Sequence, residues 1–126
     1  MTTPKTALIT GASRGIGKAI AYEFARNGYT LYLTCKNNID LLKELKAEFG
    51  CHIFQCDMGN IHEVETLFQG IPSIDIIVNN AGISHVGLLT DMSEDDWRRV
   101  NLQIWILYFI QANLVYLKCL PTIKVR

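Results

Sequence analysis

At 126 residues, with 49% hydrophobic and 19% charged side chains and twelve basic residues balanced by twelve acidic ones, the chain has the make-up of a single globular domain and lacks the basic excess of a nucleic-acid-binding protein. Cys35, Cys51, Cys56 and Cys119 form no C-x-x-C pair and stand near no histidine at ligand spacing, so buried reduced thiols are expected and no metal site is assigned. The start runs into an apolar segment without a basic region or a leader-length apolar core, which predicts a cytoplasmic protein rather than a secreted one.

Up to about Val100, short β-rich runs alternate with helical patterns, the rhythm of parallel strands joined by crossover helices. The first strand is expected at residues 6–10 and leads into Thr10, Gly11, Ala12, Ser13, Arg14, Gly15, Ile16 and Gly17, where a helical pattern begins at once. On that helix Ile16, Ala19, Ile20 and Phe24 share a face. A strand at 30–34 precedes a helix bearing Leu41, Leu42, Leu45 and Phe49, with Gly50 placed to end it. The third strand falls near 52–55, and the helix after it, 61–68, stops before Gly70 and Pro72. A fourth strand is expected at 74–79. The fourth helix opens at Ser93, a capping hydroxyl with Asp96 three residues on, while Glu94 and Asp95 suit the positive end of the helix dipole.

Strand, glycine turn, helix is the context in which a pyrophosphate meets backbone amides at a helix N-terminus, and side chains on the loop would block its approach. Glycines at 11, 15 and 17 remove them. Their spacing, G-x-x-x-G-x-G, differs from the G-x-G-x-x-G dinucleotide fingerprint. Together with Asn79, Asn80, Ala81 and Gly82 after the fourth strand, it resembles the short-chain dehydrogenase/reductase family, closest in flavour to the 3-oxoacyl-acyl-carrier-protein reductases. The resemblance runs from about Thr6 to Val100 and takes in Cys56, Asp57 and Met58 after the third strand, and Ser93, Glu94 and Trp97. It implies that Gly11, Ser13, Arg14, Gly15, Ile16 and Gly17 meet the cofactor phosphates, that Asp57 and Met58 lie at the adenine, and that Asn80, Ala81 and Gly82 line the path beside the ribose. Asn79 also reads as a structural tie between strands.

An NAD-preferring site usually has an acid at the end of the second strand, roughly twenty residues past the loop. This chain has Thr34, Cys35, Lys36 and Asn37 there. Lys36 and Arg14 would pair with a 2′-phosphate that a carboxylate would repel, so NADP(H) is favoured over NAD(H).

Family members work with a Ser, a Tyr and a Lys, the last two as Tyr-x-x-x-Lys. The chain is expected to hold no Tyr-x-x-x-Lys and to lack this triad, the segment that carries it falling beyond Arg126; no catalytic residue is assigned, and His85 is given no role. Residues 102–117 carry no charge, where the resemblance implies an amphipathic helix beginning with a catalytic Asn. Back-translated and read two bases later, the segment from Leu102 permits T-N-L-D-T-L-F-H-T-S-K and then I-P-K-M, which fits the family spacing. A single-base frameshift near Asn101 is therefore expected, with the catalytic Asn slot near Ile104. The tail is short of charge yet holds Gln103, Gln111 and Asn113; a sticky helix is expected rather than membrane insertion.

The resulting expectation is an α/β, three-layer doubly wound Rossmann fold with a parallel sheet, incomplete at its C-terminal half. Residues 1–100 form the dinucleotide-binding unit, and 101–126 an atypical, out-of-frame apolar tail. The function read from it is the cofactor half of an NAD(P)-dependent oxidoreductase, with carbonyl or alcohol substrates only in a full-length relative. The alternative is a non-catalytic nucleotide-binding or interaction fragment, prone to self-association.

Overall fold

A strand covered on both faces must be apolar on both, and Thr6–Ile9 (β1) is buried at all four positions. The computed structural model describes residues 3–82 and 87–105, without the side chain of residue 103. Along the described chain β1 is followed by α1 (Gly15–Arg26), β2 (Thr30–Cys35), α2 (Ile39–Phe49), β3 (His52–Gln55), α3 (Ile61–Gln69), β4 (Ile76–Val78), a 3-10 turn (Leu89–Asp91) and α4 (Glu94–Trp105). The strands form one parallel sheet in the order β3-β2-β1-β4.

Alternation along β1 and β2 divides the core into two layers. Ala7, Ile9, Leu31 and Leu33 pack with Ala21, Leu42 and Leu45 beneath α1 and α2. Leu8 and Tyr32 turn to the other face and meet Val64, Leu67 and Phe68 of α3. Helices thus cover both faces of the sheet, as the doubly wound reading expects. The chain leaves β1 in one direction to β2 and later returns to β1's other side as β4, so the C-terminal ends of β1 and β4 form a topological switch point, the place where such sheets hold ligands.

Several local signals act as read. Gly50 takes the left-handed conformation (φ 69°) that ends α2. The Ser93 hydroxyl accepts from the Asp96 amide at 3.1 Å and donates to the Asp96 carboxylate at 2.7 Å. Two expectations change. The fourth strand covers only Ile76–Val78, because the Asp75 side chain is engaged in accepting the Thr6 amide (2.7 Å) and Ile74 is drawn into the α3-side core. The buried stripe of α1 is Gly17 and Ala21, with Ile20 and Phe24 packed at its edge, whereas Ile16 is 74% exposed and Ala19 lies outside the core. Seating Gly17 against the Gly11 turn rotates Ile16 away from the sheet. Residues 106–126, with most of the tail, Tyr108, Tyr116 and Cys119, lie outside the described residues, as do Ser84 and His85.

Candidate nucleotide cleft

The turn after β1 uses its glycines for different physical reasons. Gly11 and Gly15 have φ of 64° and 61°, which side-chain-bearing residues rarely adopt. Gly17 has an ordinary φ, but a Cβ there would sit 2.3 Å from the Gly11 carbonyl oxygen and 2.5 Å from Asn80 Nδ2. Its hydrogen lets helix, turn and β4 exit come together. At Gly15 an added Cβ would project into open space, which leaves the approach to the helix start clear.

That helix start is left for an outside partner. Arg14 occupies the N-cap with extended backbone and no side-chain capping bond, and α1 has no acid in its first turn. By contrast, Asn60 caps α3 by accepting from the His62 and Glu63 amides, and α2, α3 and α4 all carry acids in their first turns. The free amides and the unopposed dipole of α1 suit an anion.

The facing wall is built on Thr10. Its hydroxyl accepts from the amides of Asn80 (3.1 Å) and Ala81 (3.0 Å) and lies 3.4 Å from the Val78 carbonyl oxygen, to which it donates. Asn80 Nδ2 donates to the Gly11 carbonyl at 3.0 Å. The tie between the strand ends is thus made by Asn80, while Asn79, read as the tie, is exposed where the chain leaves β4.

Between these walls lies a cleft of about 360 Å³ lined by Gly11, Ser13, Arg14, Gly15, Lys36, Met58, Asn80, Ala81 and Gly82, nine of the positions expected from sequence. Three others do not line it. Ile16 points to solvent, Gly17 is packed behind the turn, and Asp57 stands at the rim, its carboxylate 3.6 Å from Lys36 Nζ and accepting from the Gly59 amide at 2.9 Å. Thr34, Cys35, Asn37, Asn38 and Cys56 line it in addition. The signal for these was their place at or just past the carboxyl ends of β2 and β3, where open α/β sheets hold ligands. Burial raises the Cys35 thiol above its usual range and, with Glu63 and Asp57 adding to the effect, pushes Cys56 to about 11. Both are therefore neutral thiols at physiological pH rather than nucleophiles.

Tyr-x-x-x-Lys spacing does occur once, at Tyr32 and Lys36, against the expectation that the chain lacks it. These residues lie along an extended strand, however, which separates them by roughly 13 Å instead of the single turn of a helix. The Tyr32 ring is buried in the α3-side core and stacked on His52 at 4.6 Å. Lys36 stands half-exposed at the cleft. The pair cannot act on one substrate oxygen. Among the described residues no tyrosine lines the cleft, and no helix is long and apolar enough to cross a membrane.

Comparison with known proteins places this geometry among relatives. Residues 5–115 match the family described as short chain dehydrogenase. The 3-oxoacyl-[acyl-carrier-protein] reductase FabG of Staphylococcus aureus is 37% identical over 107 residues, which covers 77% of this chain and 43% of that protein. Among solved structures, a short-chain dehydrogenase from Sphingobium yanoikuyae in complex with NADPH superposes with a TM-score of 0.79 at 26% identity, over 94% of this chain and 49% of its own. A 4-hydroxyisoleucine dehydrogenase complexed with NADH gives 0.84 at 25% identity, over 94% and 50%. The chain therefore spans less than half the length of the curated relative and about half of each structure.

Proposed function

The chain belongs to the short-chain dehydrogenase family, and we propose that its cleft binds a nicotinamide dinucleotide, NADP(H) in preference to NAD(H), as the cofactor half of an oxidoreductase acting on small carbonyls or alcohols. The observation that carries this reading is the uncapped, acid-free N-terminus of α1 opening past Gly15 into the cleft. The free amides there, with Ser13 and Arg14 beside them, hold the pyrophosphate; Asn80, Ala81 and Gly82 border the ribose; Met58 and the rim carboxylate of Asp57 meet the adenine. The bound nicotinamide supplies or accepts the hydride. The neutral, buried thiols of Cys35, Cys51 and Cys56 fit a reducing, cytoplasmic setting.

The preference for the 2′-phosphate rests on three residues. Cys35, not an acid, ends β2, and Arg14 and Lys36 line the same cleft. Lys36 already faces Asp57 at 3.6 Å, but both side chains are well solvated, and such a pair is worth about 0–1 kcal/mol. A charge-assisted hydrogen bond to phosphate contributes about 1.5–3 kcal/mol, so the phosphate outcompetes the carboxylate. A second reading, nucleotide binding without turnover, is favoured by the strand placement of Tyr32 and Lys36, no tyrosine lining the cleft among the described residues.

Fluorescence titration of the chain with NADPH and NADH tests both readings, with Gly15→Asp as the non-binding control. NADPH should bind more tightly than NADH by roughly tenfold or more, and Lys36→Glu should reverse the order. Failure of a folded sample to bind either dinucleotide removes the proposal. Saturable binding without oxidation of NADPH by any carbonyl tested favours the second reading over the first.

A further inference from the structure

A second groove, of about 550 Å³, lies between α3 and β3 on the flank of the sheet where β3 is paired to β2 alone among the described residues. That volume falls within the roughly 300–1,000 Å³ usual for small-molecule sites. Its apolar lining is Phe54, Cys56 and Leu67. Tyr32 braces the Phe54 ring from β2, 6.1 Å away and 20° from parallel. After α3 ends at Gln69, Gly70 has an ordinary φ of −80°, and a Cβ there would come 3.5 Å from the ring. Glycine thus leaves the ring without that cover. Cys56 lines both this groove and the nucleotide cleft, as the wall between them.

Glu63 supplies the one carboxylate of the lining. Its Oε2 accepts from the Asp57 amide at 3.0 Å, which fixes the side chain, and its other oxygen has no partner among the described residues. No Lys or Arg lines the groove, and the His62 imidazole is turned to Glu65 at 3.9 Å. An apolar surface with one fixed anion and no basic side chain complements a ligand of opposite charge and apolar body. We propose that this groove is a second small-molecule site, separate from the nucleotide cleft, for an amphipathic cation whose flat apolar body lies on Phe54 and whose ammonium or amidinium group meets Glu63. The site stands whether or not the cleft holds a dinucleotide.

Phenethylammonium, with hydrocinnamate as its anionic counterpart, probes the groove through the amide chemical shifts of the titrated chain. The cation should shift the amides of Phe54, Leu67 and Gly70 saturably and bind roughly threefold more tightly than the anion. Glu63→Gln keeps an oxygen for the Asp57 amide but removes the charge, and it should erase that difference. Gly70→Leu lays a side chain over the Phe54 ring and should weaken both probes while the unfolding midpoint holds. Equal affinity for cation and anion in the original chain overturns the proposal, and so does a folded chain whose Phe54, Leu67 and Gly70 amides do not respond. Undiminished cation binding in a folded Gly70→Leu variant overturns it as well. Should that variant unfold, the comparison of the two probes in Glu63→Gln decides alone: a preference for the cation that survives there removes Glu63 from the site and the proposal with it.

Discussion

The centre of the sheet and its β4 edge are built to different standards. On the β1–β2 side, inward residues from both strands are closed over by α1, α2 and α3, and Leu8, Ile9 and Leu33 are completely buried. On the other side, β4 is a three-residue strand of half-buried residues, paired within the described residues to β1 alone. Beyond it the 3-10 turn and α4 leave Leu88, Leu89, Trp97, Leu102 and Trp105 exposed. The glycine turn belongs to the well-packed side and the Asn80–Gly82 segment to the open one, so the cleft lies on the seam. The glycine turn is therefore held firmly, whereas the wall at Ala81 and Gly82 depends on the few bonds that tie it to Thr10 and Gly11.

Substitutions at the centre of each region sharpen this contrast most. Leu33→Ala, in the sealed core, should cost about 2–5 kcal/mol of unfolding free energy, seen as a large drop in the denaturant midpoint. An effect below about 1 kcal/mol would mean the first region is no better packed than the second. At the seam, Thr10→Val removes an acceptor for the Asn80 and Ala81 amides; Asn80 keeps the Val78 carbonyl at 3.1 Å, while the Ala81 amide is left unpaired at a cost of about 1–3 kcal/mol. Partial solvation of this loop should bring the total toward the lower figure. Nucleotide affinity should fall with it, since the wall is freed. Stability lost with affinity unchanged would show that the wall does not border the ligand.

Cys56 gives a subtler probe, read through pH. Its thiol is raised from 9.0 to about 11, chiefly by burial. A raised acid pKa means that the neutral form is favoured in the folded state, so stability is full below pH 9, where the unfolded chain also keeps the proton. Stability then declines as pH rises toward 11 and the unfolded thiol ionises first. Cys56→Ala should flatten that alkaline decline in a pH series of unfolding midpoints. An identical slope in the variant would assign the decline to other groups.

Much of this was legible in the sequence because the signals are local. Gly11 and Gly15 are demanded by backbone conformation, Gly50 and Ser93 by helix ends, and the apolar strands by burial on both faces. Misreadings arose where a contact distant along the chain decided the outcome. Helical periodicity alone put Ile16 on the buried face, but the close approach of Gly17 to Gly11 and Asn80 sets the rotation of α1. Asn79 and Asn80 are indistinguishable as letters, and only the strand end fixes which one reaches across. Tyr32 and Lys36 show the converse: a catalytic spacing carries meaning only on a helix, and β2 is a strand.

The smallest expected effect falls at the open end, and its smallness is the point. Leu89 and Trp105 are 75% and 68% exposed, so their side chains contribute little burial, and replacing surface residues of this kind usually changes stability by less than about 0.5 kcal/mol. The double variant Leu89→Ser, Trp105→Ser should therefore unfold at the same denaturant concentration as the original chain and bind nucleotide equally well. Large apolar side chains in water do, however, favour contact between molecules. Light scattering of the variant should accordingly show a lower mean mass at equal concentration wherever the original chain self-associates. A loss of more than about 1 kcal/mol would instead mean that the 3-10 turn and α4 pack in solution, and the contrast between the two regions would narrow to the length of β4. Unchanged stability with unchanged scattering would keep the contrast and remove these side chains as the cause of any association, leaving β4 and β3, each paired on one side only within the described residues, as edges whose backbone groups can accept another strand.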